Sequence, residues 1–135
     1  MSRLEIGLIV IGRIGADHVS INLTDHSTDW IDGTLGISAG PWSGTCRCSF
    51  YRGELSQFAA DIEKLYEDLA RVAQLSPIEP HLELRFTGDG KGHILVEGKA
   101  QHRLSAGTYL KFTMELDQTE LPAIANALRT ADSRA

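Results

Sequence analysis

The chain has few cysteines, no long hydrophobic run and no excess of basic residues. Its two cysteines, Cys46 and Cys48, stand two apart. On a strand they point the same way in a poor disulfide geometry, and they supply at most half a metal site. The apolar run near the N-terminus is interrupted by Arg13 and is too short for a signal peptide or a bilayer span. We therefore expect reduced thiols in a cytoplasmic protein without membrane attachment.

The charge balance is acidic. Lysine and arginine number 13 against 18 aspartate and glutamate, which gives a net charge of −5. Proteins that bind nucleic acid favour a basic face, so we expect no nucleic-acid partner. With 135 residues the chain is long enough to bury a real core, and we predict a single domain over residues 1–135.

The stretch Glu54–Gln74 carries the strongest helical signal. Its apolar residues recur at the spacing of one helix face, and no glycine or proline interrupts it. That face consists of Leu55, Phe58, Ala59, Ile62, Leu65, Tyr66, Leu69, Val72 and Ala73. A helix with one apolar face must lie on another apolar surface, and most of the remaining chain has the pattern of strands. The sequence therefore predicts a long helix packed on a β-sheet.

Alternating apolar and polar residues predict strands before and after this helix. The segments are 4–12, 18–23, 35–37, 45–52, 81–87, 93–98 and 109–116. The predicted order is ββββ-α-βββ-α, an α+β fold. About seven strands would form a curved, mostly antiparallel sheet, or two sheets, around one long central helix. We predict hairpin turns at Gly88–Gly92 and Gln101–Gly107.

The segment Trp30–Gly44 is rich in glycine and holds both tryptophans. We expect a loop there, with an edge strand near residues 34–38, since a proline at residue 41 cannot donate to a central ladder. Aromatic side chains on loops are frequent interface residues, so Trp30 and Trp42 are our candidates for contact with a partner. The alternative is that they cover the open end of the core.

The closing segment begins with Asp117-Gln-Thr-Glu120, the pattern of a capping box. Pro122 is tolerated only in the first turn of a helix. We therefore predict a tight turn at Asp117-Gln118, a short C-terminal helix over about residues 120–130, and a frayed tail at residues 132–135.

No pattern in the chain predicts catalysis. The five histidines are scattered, the GDGKG stretch lacks phosphate-loop spacing, and no serine or cysteine stands in a nucleophile elbow. The acidic pairs of the long helix lie on its wet face. We assign no catalytic, cofactor-binding or metal residue and expect a protein that is not an enzyme.

Three segments together resemble a known family. They carry a GEL–F–I–LY–L helix pattern within residues 50–69, a hairpin pattern and an L–F–ELDQT–LP closing pattern. The hairpin residues are Leu82, Leu84, Phe86, Gly92, His93, Ile94, Val96 and Gly98, and the closing residues are Leu110, Phe112, Glu115 to Thr119, Leu121 and Pro122. These patterns resemble the WapI-like immunity-protein family of bacterial polymorphic toxin systems. The likeness covers residues 50–128, and residues 1–49 match it only loosely.

The resemblance implies a binding protein that blocks a toxin by covering its active surface, with no catalytic motif to carry over. Two alternatives stay open. One is a small-molecule-binding or enzymatic site in the mouth of the curved sheet, near Trp42 and His93. The other is a homodimer or larger homo-oligomer formed through an exposed sheet edge.

Overall fold

The computed structural model describes residues 7–104 and 107–134, and over these ranges the chain forms eight strands, two α-helices and one 3₁₀ turn. The first four strands are β1 (Gly7–Gly12), β2 (His18–His26), β3 (Trp30–Ala39) and β4 (Trp42–Tyr51), followed by α1 (Glu54–Glu67). The second four are β5 (Val72–Leu75), β6 (Leu82–Gly88), β7 (His93–Ala100) and β8 (Leu110–Asp117), followed by the 3₁₀ turn Gln118–Glu120 and α2 (Leu121–Arg134). The α+β class and the antiparallel pairing are confirmed.

The strands form two sheets, the alternative that the sequence left open, and the prediction of one sheet of about seven strands is wrong in detail. Within the described ranges, each sheet has four strands in sequential antiparallel order, β1 to β4 in sheet A and β5 to β8 in sheet B. The additional strand is β5, which the sequence assigned to the end of the long helix. The helix instead ends at Glu67, because Asp68 adopts an extended backbone and Val72–Leu75 pairs with β6.

Strand β3 is regular and internal, so the predictions of a loop and of an edge strand near residues 34–38 are wrong. It pairs with β2 on one side and with β4 on the other. Its glycines allow close backbone approach, because a Cβ at Gly33 would clash with the carbonyl oxygen of Asn22. In place of the predicted loop, Gly40 and Pro41 form a two-residue hairpin turn between β3 and β4. The free edge on this side of sheet A is therefore β4.

The predicted apolar stripe of α1 enters the core from Leu55 to Leu65, but Tyr66, also predicted to belong to it, is exposed. Leu55, Ile62 and Leu65 are fully buried, and the Phe58 ring meets the Phe86 ring edge-on at 5.3 Å between centroids. The helix packs against β5 and α2, and α2 packs against β1. The buried faces of both sheets and both helices belong to one core cluster. This arrangement leaves the ends of the β3–β4 hairpin and the outer face of α1 at the surface.

The closing segment is ordered further than its sequence predicts. The capping box is confirmed: Thr119 N–H donates to the Asp117 carboxylate at 3.0 Å, and Asp117 N–H donates to Glu120 at 2.9 Å. Helix α2 then continues to Arg134, so a frayed tail at residues 132–134 is wrong, and residue 135 lies outside the described residues. The reason is Asp132, whose side chain is buried against the start of α1.

Turn residues agree with the predicted hairpins where the structure describes them. Residues 89–92 connect β6 to β7. Residues 105 and 106 of the predicted turn Gln101–Gly107, and residues 4–6 of the first predicted strand, lie outside the described residues. Neither helix in the described part of the chain has the length and apolar character needed to cross a membrane.

Candidate functional site

The two tryptophans lie at opposite ends of the β3–β4 hairpin. Trp30 begins β3 opposite Tyr51, while Trp42 begins β4 opposite Ala39. Because a strand rises about 3.3 Å per residue, nine residues separate the two ends by about 30 Å. The sequence predicted that the two tryptophans share one loop, and this prediction is wrong. Each tryptophan therefore has its own set of neighbours.

Trp30 is half-buried and adjoins exposed apolar side chains at the start of α1. Its ring packs edge-on against Tyr51, with the centroids 5.4 Å apart. The Glu54 carboxylate accepts hydrogen bonds from Tyr51 N–H at 2.6 Å and from Ile78 N–H at 2.8 Å. Tyr51 is 40% exposed and Ile78 is 69% exposed. We call Trp30, Tyr51 and Ile78 the aromatic patch.

The backbone behind the aromatic patch is held by several hydrogen bonds. The Arg52 guanidinium donates to the carbonyl oxygens of Thr28 at 2.9 Å and Ser27 at 3.1 Å. Arg52 N–H donates to the Asp29 carbonyl at 2.7 Å. These bonds fix the β2–β3 turn against the end of β4, so the patch is ordered before any partner arrives. A preordered surface loses less conformational entropy on binding.

Sequence reasoning found only one member of this patch. The alternation of Phe50 and Tyr51 indicates that Tyr51 points outward, but nothing marks it as a neighbour of Trp30 until the strand register is known. Ile78 lies between Pro77 and Pro80, where no periodicity exists to interpret. The missing signal is tertiary, because the Glu54 carboxylate brings the two segments together by accepting hydrogen bonds from both Tyr51 and Ile78.

The segment formed by α1 and the residues that follow it carries more than half of the net negative charge. Residues 54–71 hold five acidic and two basic side chains, so this segment accounts for three of the five net negative charges. Glu63 accepts two hydrogen bonds from Arg129 of α2, and the pKa of Glu63 is lowered chiefly by that bond. Glu67, the last residue of the helix, and Asp68, which follows it, are exposed. The acidic face therefore begins beside the aromatic patch.

Trp42 lies at the other end of the hairpin, where the two sheets separate. Its side chain is 68% exposed. Beside it is a cleft of about 560 Å³ between the start of β4 and the adjoining ends of β7 and β8. Its apolar walls include Leu35, Ile37 and Leu110, and Cys46 and Tyr109 also line it. We call this feature the open-end cleft.

His102 lines the open-end cleft, but His93, which the small-molecule hypothesis requires there, does not. His93 pairs with Asp117 at the opposite end of β7 from Ala100, which lines the cleft. A site that joins His93 to Trp42 is therefore not assembled. His81, which the strand pattern placed outward, is buried, and its ring nitrogen lies 3.0 Å from the Gln101 carbonyl oxygen. Within residues 7–104 and 107–134, no group of three histidine, cysteine, aspartate or glutamate side chains has the arrangement of a metal site.

The cysteines are free thiols in the described structure, on one face of β4. The shared face is as the strand pattern predicted. Cys48 and Phe50 point into the core, and the structure adds that Cys46 is half-buried at the cleft wall. Burial raises the pKa of Cys46, and burial together with nearby Cys46 raises the pKa of Cys48 to about 12. Because the thiolate is the reactive form, these environments make poor nucleophiles.

These observations describe an α+β protein with two four-stranded antiparallel sheets in the described ranges and an exposed aromatic side chain, Tyr51 or Trp42, at each end of the β3–β4 hairpin. The family model for the immunity protein WapI-like family matches residues 10–133. The chain therefore belongs to the WapI-like immunity-protein family, and the match includes the N-terminal sheet that the sequence patterns related to it only loosely. No curated protein matches the chain.

Proposed function

We propose that this protein is an immunity protein that neutralises a cognate bacterial toxin through non-covalent contact at the aromatic patch. The observation that carries the proposal is the family match over residues 10–133. In this mechanism no bond is made or broken. The immunity protein covers the surface that the toxin uses to act, and it needs no cofactor and no catalytic residue of its own.

The composition of the aromatic patch supports its role as the contact surface. Tryptophan and tyrosine are enriched among the few residues that dominate binding free energy. Trp30 and Tyr51 already pack against each other, and Ile78 adds an exposed apolar side chain. A stable complex requires about 800 Å² per partner, which is more than these three side chains supply. The adjoining face of α1 provides the remaining area.

The charge of α1 supports a toxin with a basic surface. Three of the five net negative charges lie on residues 54–71, which begin at the patch. The negative electrostatic field of these residues accelerates association with a positively charged partner, and added salt reduces this acceleration. We propose that a basic face of the toxin meets α1 while an apolar pocket of the toxin covers Trp30.

The shared core supports treating residues 1–135 as one domain that binds as a unit. The site of action that follows from this proposal is the cytoplasm, where the toxin would otherwise damage the producing cell. A homodimer is compatible with this function because the aromatic patch and the exposed start of the β4 edge, residues 42–46, lie at different ends of the β3–β4 hairpin.

Co-expression with the toxin tests this function. The candidate toxin is the product of the adjacent gene, expressed under a separate inducible promoter in bacteria that carry this protein or an empty vector. We expect growth arrest with the empty vector and growth with the immunity protein. A toxin that arrests both cultures equally, despite folded immunity protein in the lysate, would contradict the proposal.

A further inference from the structure

The open-end cleft, the exposed Trp42 and the free edge of β4 are parts of one surface that the toxin proposal does not use. We propose that this surface binds a second copy of the chain, that the two β4 strands pair antiparallel about a two-fold axis at Gly44, and that Trp42 of each copy enters the open-end cleft of the other. The inference does not depend on toxin binding.

The start of β4 has free backbone groups. A two-residue hairpin turn closes on the pair Ala39–Trp42, so Trp42, Gly44 and Cys46 bond to β3. The intervening residues Ser43 and Thr45 direct their N–H and C=O groups away from the sheet. Tyr51, which follows the same alternation, confirms the direction, because its N–H donates to Glu54. For Ser43 and Thr45, the described ranges supply no hydrogen-bond partner to the outward N–H.

This edge lacks the features that usually prevent strand addition. Its pairing with β3 is regular from Trp42 to Tyr51, without a bulge. Residues 42–46 contain no charged side chain and no proline. Natural edge strands are commonly protected by lysine, proline or bulges. The exposed half of β4 is therefore open to another strand.

The spacing of residues 42–46 favours a second copy of the chain as the partner that binds the β4 edge. In a two-fold pair centred on Gly44, residue 42 of one copy lies opposite residue 46 of the other, and Ser43 lies opposite Thr45 with about four backbone hydrogen bonds. Gly44 has no side chain, and a Cβ there would meet nothing within 4 Å. No like charges face each other within this pairing. The chain thus supplies both the exposed aromatic side chain and the cleft that receives it.

The same register places Trp42 of the second copy at the cleft wall. Directly opposed residues on paired strands bring their Cβ atoms within about 5.5 Å. Trp42 of the second copy therefore meets Cys46, and its ring extends over Leu35 and Ile37, which line the cleft beside Cys46. A volume of about 560 Å³ accommodates an indole ring. Two tryptophans bury about 300 to 500 Å², so the dimer is small and depends on concentration.

Sedimentation velocity over a range from low micromolar to millimolar tests the dimer. We expect wild-type protein to shift from monomer to dimer as concentration rises, and Trp42→Ala to remain a monomer. Trp30→Ala is the matched control, since it removes the other tryptophan about 30 Å away, and it should dimerise like the wild type. Circular dichroism confirms that each variant is folded.

Two further measurements separate this arrangement from other occupants of the cleft. In a Trp30→Phe protein, the emission of Trp42 should shift to shorter wavelength as the dimer forms, and Thr45→Pro, which removes an outward N–H, should abolish the shift. A wild-type protein that stays monomeric at all concentrations overturns the proposal. This holds even if the cleft binds another molecule, such as an apolar dye or the toxin. A dimer that Trp42→Ala leaves unchanged also overturns it.

Discussion

At the scale of single residues, the neighbouring thiols of β4 show how position determines chemistry. Cys46 and Cys48 point to the same face of one strand, but only Cys48 is enclosed by the core. Burial is the first cause of the raised pKa of both thiols. The strand pattern alone predicted the shared face, and the structure adds the depth of burial that distinguishes the two.

The raised pKa of Cys48 makes the stability of the protein depend on pH in the alkaline range. An unfolded thiol ionises at about pH 8.5, whereas folded Cys48 keeps its proton until about pH 12. Between these values the unfolded state binds fewer protons, so the free energy of unfolding falls as pH rises, by about 1.4 kcal/mol per unit for one thiol. Urea unfolding between pH 8 and pH 10, in roughly half-unit steps, measures this slope.

The comparison for this prediction is Cys48→Ala. Its unfolding free energy should fall less steeply over the same pH interval, although cavity formation lowers its absolute stability. Cys46→Ala, which removes the half-buried thiol, should change the slope less. If wild-type and Cys48→Ala curves run parallel, folded Cys48 ionises as readily as the unfolded thiol, and the burial argument is wrong.

At the scale of elements, α1 depends on α2 for its N-terminal cap. Gly53 precedes the helix and has no side chain to accept the first N–H groups. The buried Asp132 carboxylate does so instead, accepting from Gly53 N–H at 3.1 Å and from Ser56 N–H at 2.8 Å. A cap that comes from a residue 76 positions away in sequence ties the two helices together. Local patterns do not reveal it.

Replacing Asp132 tests this connection. Asp132→Ala should lower the free energy of unfolding by about 2 kcal/mol, because it removes a cap and leaves buried N–H groups without a partner. Ser133→Ala, one position away on the exposed side of α2, should stay within about 0.5 kcal/mol of wild type. Chemical unfolding followed by circular dichroism measures both. Equal stability of the two variants would show that Asp132 does not cap α1.

The helices and the alternating strands could be predicted because their signals are local. The buried stripe of α1, the hairpin after Gly88 and the capping box at Asp117 follow from spacing along the chain. The end of α1 could not be predicted, since Val72 and Ala73 continue the helical spacing. Tertiary bonds decide it: Gly90 N–H donates to the Leu69 carbonyl, and Gly88 N–H to the Arg71 carbonyl.

The full extent of strand β3 could not be predicted from the sequence, for a related reason. Glycine disfavours strands in general, and three glycines within residues 33–40 indicated a loop. In the sheet, Gly33 and Gly36 are needed because side chains there would meet β2, at the Asn22 carbonyl and the Ser20 hydroxyl. The same error placed Trp30 and Trp42 in one loop. Only the register of β3 with β4 reveals that the candidate residues lie at opposite ends.

At the scale of the whole molecule, the two sheets and two helices create two separate surfaces. The helix α1 interrupts the order of strands between β4 and β5, so the eight described strands divide into two sheets of four. The sequence could predict strands but not their division, because pairing between distant segments leaves no periodic signal. The division produces the open-end cleft at one end, while the aromatic patch forms at the start of α1.

The measurement that tests the central claim most directly is the affinity of the purified protein for its toxin by calorimetry. Trp30→Ala should raise the dissociation constant at least about 30-fold, because the aromatic patch contacts the toxin. This factor corresponds to a loss of about 2 kcal/mol of binding free energy, the loss expected for a dominant contact residue. Trp42→Ala removes an equally large aromatic residue at the other end and should change the affinity less than about threefold. Wild-type protein that does not bind the toxin, or a loss of affinity in Trp42→Ala but not in Trp30→Ala, would contradict the account.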